Sequence, residues 1–281
     1  MKQYASYFAL FLNFLYIQFS ADWCDIASSH ITLYLSYLFH HKNLAPTTLR
    51  SHLSGIAFYV KLLTKQDLTK DVKIQYLLKA FEKTYSSSLI RKPIDHVILH
   101  QLLAHVSKTY KSVYYKHAFY ILYTLMYRLA LRVSEIADYS KSFNHSLQYD
   151  NFHFDSHKNL LRLRLSSFKH SKAASPDYVI PCNSSFAFHI NEFLNLRGRS
   201  NAPVFIHKSG LPFSRTFITN NLRVDLTQIG LNAKHFNTHS FRIGRCTDLA
   251  SFGYSDQQIT LIGRWSSNAF RKYIKPSLIK V

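Results

Sequence analysis

Apolar residues recur every three or four positions along most of this chain, the spacing by which helices bury one face. Residues 159–165 differ, because apolar and basic residues alternate there as they do in a half-buried strand. Residues 178–181 could supply a partner strand, with the polar residues 169–177 as the hairpin loop. The spacing therefore predicts a mainly α fold with a small antiparallel β-sheet.

Local signals mark where several of these helices begin and end. Pro46 suits a first helical position, Gly253 suits the position after a helix, and Ser255 with Gln258 forms a capping-box pattern. Helices are predicted over residues 1–20, 31–39, 46–60, 72–81, 94–106, 114–131, 213–229, 238–252, 255–263 and 268–274. The strand region is thus flanked by helices on both sides.

The amino-terminal segment allows two interpretations. It begins with Lys2 and continues with an apolar run that looks a little like a secretory signal. That run is about 15 residues long and is interrupted by Ser6 and Asn13, whereas a membrane-spanning helix needs about 20 residues. Because its aromatic residues recur at helical spacing, a packed helix is favoured. We expect no secretion and no membrane partner.

A polar, basic stretch that ends in Pro93 interrupts the helical pattern. Such stretches are typical of interdomain linkers. We therefore expect a helical domain over residues 1–85, a linker over residues 86–93 and a second domain over residues 94–281.

The charge points to a polyanionic partner. Lysine and arginine number 35 against 15 acidic residues, a formal net charge of +20. The basic residues are spread along the whole chain, which favours nucleic acid over a membrane surface. The three cysteines lie far apart and without ligand spacing, so neither a disulfide framework nor a zinc site is indicated. A reducing compartment fits this pattern.

Two short motifs carry residue types suited to gripping a phosphate. His239 and Arg242 are three residues apart near the start of a predicted helix, where backbone N–H groups favour an anion. Arg132 follows a long apolar helix and is close to Glu135, which could orient it. Each pair, taken alone, is equally typical of an ordinary helix surface.

A third motif places Tyr273 after two basic residues, Arg271 and Lys272, and eight positions after Trp265. Positive charge beside a phenol favours the phenolate that a nucleophile needs. The chain has 19 tyrosines, however, and a single tyrosine is far more often structural than catalytic.

Taken in order, these motifs resemble the signature of the tyrosine recombinase, or phage integrase, family. That signature is Arg, a hairpin Lys, His-x-x-Arg, a His or Trp, and then Tyr. The amino-acid sequences of residues 130–135, 239–244 and 263–267 are most similar to the versions carried by eukaryotic mobile elements of the Crypton and DIRS type. The resemblance implies a helical, SAM-like core-binding domain over residues 1–85 and an α+β catalytic domain over residues 94–281.

The resemblance also implies roles for individual residues. Arg132 and Arg242 match the pair that clamps the scissile phosphate, His239 the residue that hydrogen-bonds it and assists proton transfer, and Tyr273 the nucleophile. Trp265 matches the His or Trp position. Its spacing to Tyr273 is one residue shorter than in the common family pattern, so Arg264 is a candidate for part of that role. The further implied residues are Glu135 as an acidic helper and Lys169 as the general acid, with Lys172 as its rival.

The implied function is a metal-independent DNA strand transferase that recombines or integrates a mobile element through a 3′-phosphotyrosyl intermediate and needs no cofactor. Its expected partners are double-stranded DNA and three further copies of the chain in a tetrameric synapse. The expected location is the nucleus of a eukaryote or otherwise the cytoplasm. Three alternatives stay open: a catalytically inactive DNA-binding relative, a type IB topoisomerase-like enzyme, and an RNA-binding or structural basic protein.

Overall fold

The structure is a computed structural model, and it describes residues 2–21, 25–85, 91–137, 146–165, 177–200, 202–265 and 267–275. The chain divides into two compact units, Met1–Ser88 and Leu89–Val281. The assignment of residues 1–85, 86–93 and 94–281 to a DNA-clamping domain, a linker and a catalytic domain stays a prediction.

The first unit contains four α-helices around one core. They are α1 (Lys2–Phe19), α2 (Ser28–His40), α3 (Pro46–Thr64) and α4 (Val72–Thr84). Pro46 occupies the start of α3 as predicted, and the Asp71 side chain caps α4 by accepting a hydrogen bond from the Lys73 N–H. The amino-terminal segment forms a helix that buries Phe11 and Leu15 in this core. Within the described ranges, no helix has both the length and the apolar character that crossing a membrane requires.

The second unit surrounds a buried central helix. Its elements are α5 (His96–Thr109), α6 (Val113–Arg128), β1 (Phe152–Asp155), β2 (Leu160–Arg164), β3 (Asp177–Pro181), α7 (Ser184–Arg197), α8 (Arg215–Gln228), α9 (Ser240–Ser251), α10 (Asp256–Gly263) and a 3-10 helix (Asn268–Lys272). Helix α6 packs against α5, α7 and α9, and most of its residues are buried. Because most of its residues are buried, α6 forms the centre of the core of this unit.

The three strands form one antiparallel sheet in the order β1-β2-β3. Along β2, Leu161 and Leu163 are buried while Arg162 and Arg164 are exposed. The mainly α fold with a small antiparallel sheet is therefore confirmed, as is the pairing of residues 159–165 with residues 178–181. Strand β1 and helix α7 were not predicted. Much of the predicted hairpin loop, including Lys169 and Lys172, lies outside the described residues.

Two helix boundaries differ from the prediction because of local backbone chemistry. The predicted helix over residues 114–131 ends at Arg128, since Ala130 adopts a left-handed conformation with φ of 45°. The predicted helix over residues 94–106 begins at His96, where the Asp95 side chain accepts a hydrogen bond from the Ile98 N–H at 2.9 Å. Gly253, with φ of 79°, follows α9 as predicted. These turns decide which side chains point back across the ends of α6 and α9.

Candidate active site

The start of α9 carries the first pair of predicted site residues. His239 is the residue just before the helix and Arg242 lies one turn later, so their side chains neighbour each other on one face. The His239 N–H donates to Asn237 Oδ1 at 2.9 Å. Gly244 lets α9 approach the chain before α5 closely, because a Cβ there would lie 1.8 Å from the Ile94 carbonyl oxygen. The start of α9 is thus fixed against its neighbours.

Arg242 is fully buried in the site. Its guanidinium donates from Nη1 to the Ala130 carbonyl and from Nη2 to the Gly263 carbonyl, both at 2.5 Å. Nε has no hydrogen-bond partner within the described part of the chain. The Trp265 ring lies over the guanidinium, with 3.9 Å from Cζ to the ring centre. Arg242 therefore joins the ends of α6 and α10, and its Nε–H stays without an acceptor among the described residues.

A buried carboxylate joins two further arginines. Glu135 is 2% exposed, and its Oε1 accepts from Arg132 Nη1 at 3.2 Å. Its Oε2 accepts from Arg264 Nη2 and from the Arg132 backbone N–H, each at 2.8 Å. The Arg132 side chain is 23% exposed, whereas that of Arg264 is 4% exposed. Glu135 thus contacts both Arg132 and Arg264 through its two carboxylate oxygens.

The turn after α6 supplies the backbone acceptors for this cluster. The left-handed conformation of Ala130 precedes Arg132, and its carbonyl oxygen accepts from Arg242 and, at 3.4 Å, from Arg264. The Leu129 carbonyl accepts from Arg264 at 2.9 Å. Carbonyl oxygens that would be unpaired at a helix end are therefore satisfied by site arginines.

Tyr273 lies at the end of the 3-10 helix, next to the other predicted residues. Its ring centre is 5.0 Å from that of His239, 5.3 Å from that of Trp265 and 5.7 Å from the Arg242 guanidinium carbon. The ring is half-buried, with Phe270 fully buried just before it. The phenol is thus held beside the cations while part of it remains accessible.

Thr247 on α9 holds the backbone around Tyr273. Its hydroxyl accepts from the Lys275 N–H at 3.2 Å and lies 3.4 Å from the Tyr273 carbonyl oxygen. The same hydroxyl can donate to the Ile243 carbonyl at 3.0 Å. The segment that carries the phenol is therefore attached to the helix that carries His239 and Arg242.

The surroundings of His239 set its protonation. Burial, followed by the charges of Arg242 and Arg132, lowers the pKa of His239 to about 4. Burial, followed by the charges of Arg132 and Arg264, lowers the pKa of Arg242 to about 10. At neutral pH the imidazole is therefore neutral, while the guanidinium remains a cation.

The cluster carries more positive than negative charge. Among the described residues, Glu135 is the one carboxylate that contacts Arg132 and Arg264, and Arg242 is bound to backbone carbonyls. Three guanidinium groups thus share one carboxylate among the described residues, and the resulting net charge of two positive units lies in a largely buried setting, where unpaired charge is costly. Such a site favours an anion, and bidentate guanidinium groups suit a phosphate.

The structure brings together most of the site residues that the sequence predicts. Arg132 and Glu135 follow α6, His239 and Arg242 open α9, and Arg264, Trp265 and Tyr273 follow α10. Arg264, a candidate for part of the Trp265 role, instead turns its guanidinium towards Glu135 and backbone carbonyls. Lys169 and Lys172 lie outside the described residues.

Three residues of the site were not predicted. Ala130 contributes through its carbonyl, which no side-chain pattern reveals. Gly263 contributes its carbonyl and the space for the Trp265 ring, since a Cβ there would lie 1.5 Å from that ring. Thr247 could have been found from its position, because it follows Ile243 by one helical turn on α9.

Comparison with known proteins finds similar structures but no similar sequences. No protein-family model matches the chain. No curated protein sequence matches it either.

Several solved structures share the fold over nearly the whole chain. The XerH site-specific recombinase bound to palindromic difH substrate has a TM-score of 0.69 at 14% identity, covering 98% of this chain and 75% of that one. The Tn1549 transposon integrase in complex with transposon right end DNA has a TM-score of 0.62 at 13% identity, covering 89% and 81%. A lambda integrase dimer bound to a COC′ core site has a TM-score of 0.57 at 12% identity, covering 92% and 67%. At these identities the likeness is one of fold, and that fold is the fold of the tyrosine recombinases.

Proposed function

We propose that this protein is a site-specific DNA recombinase that cleaves and rejoins strands through a 3′-phosphotyrosyl intermediate. The observation that carries the proposal is a buried arginine cluster, short of carboxylate partners, directly beside a half-buried phenol. A phosphodiester supplies the missing negative charge and the phosphorus atom that a phenol can attack.

In the proposed reaction, Arg132 and Arg242 stabilise the non-bridging oxygens of the scissile phosphate as charge builds on them. The Tyr273 oxygen forms a bond to phosphorus while the bond to the 5′ oxygen breaks. The neutral imidazole of His239 takes the phenol proton, which its lowered pKa allows at neutral pH. A hairpin lysine, Lys169 or its rival Lys172, gives a proton to the departing 5′ hydroxyl. Rejoining runs the same steps in reverse.

Trp265 has a supporting role in this scheme. Its ring covers the Arg242 guanidinium, and its indole N–H is a donor that can reach a phosphate oxygen. Because the phosphotyrosyl bond conserves the energy of the broken phosphodiester, the cycle needs no nucleotide cofactor.

The proposed partners are double-stranded DNA and further copies of the chain, with four subunits in the synapse. The net charge of +20 supports DNA binding through phosphate contacts. The solved structures of similar fold include proteins bound to DNA, one of them a dimer. The amino-acid sequences of the motifs support the proposal that a mobile element of the Crypton or DIRS type encodes the protein. A nuclear location would follow for such an element.

Adduct formation tests the proposal directly. The purified protein is incubated with nicked suicide substrates drawn from a randomised DNA library, and covalent protein–DNA complexes are resolved on denaturing gels. We expect an adduct with the wild type and none with Tyr273→Phe. An adduct formed by Tyr273→Phe at the wild-type level would reject the assignment of the nucleophile.

Two other outcomes separate the alternatives. DNA binding by the wild type without any adduct indicates an inactive relative of the recombinases. Relaxation of supercoiled DNA without site preference indicates a type IB topoisomerase-like enzyme. Either result contradicts the proposed recombinase.

A further inference from the structure

Both terminal nitrogens of the Arg264 guanidinium donate to acceptors of the protein. Its Nη1 donates to the Leu129 carbonyl at 2.9 Å, the Tyr178 hydroxyl at 3.1 Å and the Ile262 carbonyl at 3.2 Å. Its Nη2 donates to Glu135 Oε2 at 2.8 Å. With its side chain 4% exposed, the guanidinium has both terminal nitrogens committed to the protein.

The backbone at Arg264 explains this direction. The residue ends α10 in the left-handed conformation, with φ of 56°, which reverses the chain. The reversal sends the side chain back across the end of α6 and towards β3, while Trp265 next to it covers Arg242. The adjacent residues Arg264 and Trp265 therefore contact different groups: Arg264 contacts Glu135, and Trp265 contacts the Arg242 guanidinium.

Glu135 connects Arg264 to Arg132. The carboxylate receives Arg264 on Oε2 and the Arg132 guanidinium on Oε1, and Oε2 also receives the Arg132 backbone N–H. Removal of Arg264 would leave a 2% exposed carboxylate with one cation instead of two. The carboxylate would then be free to shift towards Arg132 and to pull its guanidinium away from the open side of the site.

We propose that Arg264 is a positioning residue that fixes Glu135 and, through it, the guanidinium of Arg132, without itself contacting the phosphate. This inference rests on the proposed function, because Arg132 is taken there as a phosphate ligand. It separates the roles of two adjacent residues, with Trp265 beside the reacting group and Arg264 behind it.

A double-mutant cycle tests the inference. The rate of adduct formation at saturating DNA is measured for the wild type, Arg264→Lys, Arg132→Ala and the double variant, over hours for the slow proteins. Since small misplacement of a reacting group can cost about 100-fold in rate, we expect Arg264→Lys to lose about 10- to 100-fold. DNA affinity should change less than about threefold, because the phosphate contacts elsewhere remain.

The double variant decides the mechanism. If Arg264 acts through Arg132, Arg264→Lys adds less than about a twofold loss in the Arg132→Ala background. A direct phosphate contact by Arg264 would give multiplying losses instead, and that result overturns the proposal. Wild-type rates in Arg264→Lys overturn it as well.

Arg197 offers a matched control. Like Arg264, it spans several backbone carbonyls, donating to those of Val204 at 2.9 Å, Gly198 at 2.8 Å and Pro203 at 2.7 Å. In the part of the chain that the structure describes, its hydrogen bonds go to backbone carbonyls outside the candidate site. Arg197→Lys should lower the melting temperature to a similar extent and leave the rate of adduct formation within about twofold of the wild type.

A spectroscopic measurement keeps this inference separate from the proposed activity. The Arg132 Nε–H signal is assigned in ¹⁵N-edited spectra by its loss in Arg132→Ala. We expect Arg264→Lys to shift and broaden that signal, and Arg197→Lys to leave it unchanged. A wild type without adducts rejects the proposed function alone, whereas an unchanged Arg132 signal in Arg264→Lys rejects the positioning role.

Discussion

The guanidinium carbon of Arg242 lies 3.9 Å from the centre of the Trp265 ring, with the arginine fully buried beneath it. A cation over an aromatic face in a desolvated setting contributes about 2 kcal/mol. Gly263 makes the contact possible, because its missing Cβ leaves room for the ring and its carbonyl accepts from the same guanidinium. Arg242, Gly263 and Trp265 therefore pack together as one unit.

Gly263→Ala should expel the Trp265 ring from Arg242. The added Cβ would lie 1.5 Å from Cζ3 of that ring, so the ring must move, and we expect a loss of about 2 kcal/mol in the free energy of unfolding. In a Trp23→Phe background, Trp265 is the chain's single tryptophan, and its fluorescence reports the displacement.

Gly210→Ala is the control for this change. Gly210 has φ of 85°, and no atom of the described residues beyond its chain neighbours lies within 4 Å of an added Cβ, so backbone strain of about 1 kcal/mol is its expected cost. The Trp265 emission should stay the same in that variant. An unchanged emission in Gly263→Ala would contradict the packing of the ring on Gly263.

Thr247→Val should loosen the nucleophile segment. The valine has nearly the same shape but cannot accept the Lys275 N–H, so a net hydrogen-bond contribution of about 1 kcal/mol is lost. We expect about a 10-fold slower adduct formation at unchanged DNA affinity, because the phenol is held less firmly. Hydrogen exchange at the Lys275 amide should accelerate.

Thr247→Ser keeps the hydroxyl and should restore both the rate and the amide protection. If the valine and serine variants exchange the Lys275 amide equally fast, the hydroxyl is not what holds this segment.

His239 should make the protein sensitive to mild acid. Its pKa is about 4 in the folded protein, below the ordinary histidine value of 6.5, so the unfolded chain takes up the proton first as the pH falls. The contribution of His239 to the free energy of unfolding is therefore present in full above pH 6.5 and is lost as the pH falls from 6.5 to 4. Allowing for solvent screening of a partly exposed ring, the loss is on the order of 1–2 kcal/mol.

Denaturant unfolding at several pH values measures this effect. His239→Gln should show a flatter decline than the wild type between pH 6.5 and pH 4. His189 has a similarly lowered pKa of about 4 and remains in both proteins, so the difference between the two curves isolates His239. Parallel curves would contradict a neutral, buried His239.

A sulfur-substituted DNA substrate identifies the general acid. Replacement of the 5′ bridging oxygen by sulfur gives a leaving thiolate that needs no proton. Loss of the general acid should slow cleavage of ordinary DNA by about 100-fold or more and should leave cleavage of the sulfur substrate near the wild-type rate.

We expect this pattern for Lys169→Ala and a small effect for Lys172→Ala. The reverse pattern would assign the role to Lys172, and the absence of rescue in both variants would contradict a lysine acid in this segment.

The residue pattern was most informative where one local rule decides the structure. The alternation in residues 159–165 predicted β2, and the capping signals at Pro46, Ser255 and Gly253 matched their helix ends. It was least informative for β1, which has only four residues, and for α7, whose apolar residues show no marked helical periodicity. It also extended α6 past Arg128, since nothing local shows that Ala130 adopts a left-handed conformation.

By itself, the sequence determined the mainly helical fold with its small sheet, the excess of positive charge and the set of candidate site residues. Only the tertiary structure decided which of those residues meet, and in what roles. Arg264 and Arg242 are both buried arginines, yet Arg264 donates to Glu135 whereas Arg242 lies under Trp265. The reason is physical: the direction of each side chain follows from turns at Ala130 and Arg264 and from packing between α6, α9 and α10, which join residues more than a hundred positions apart.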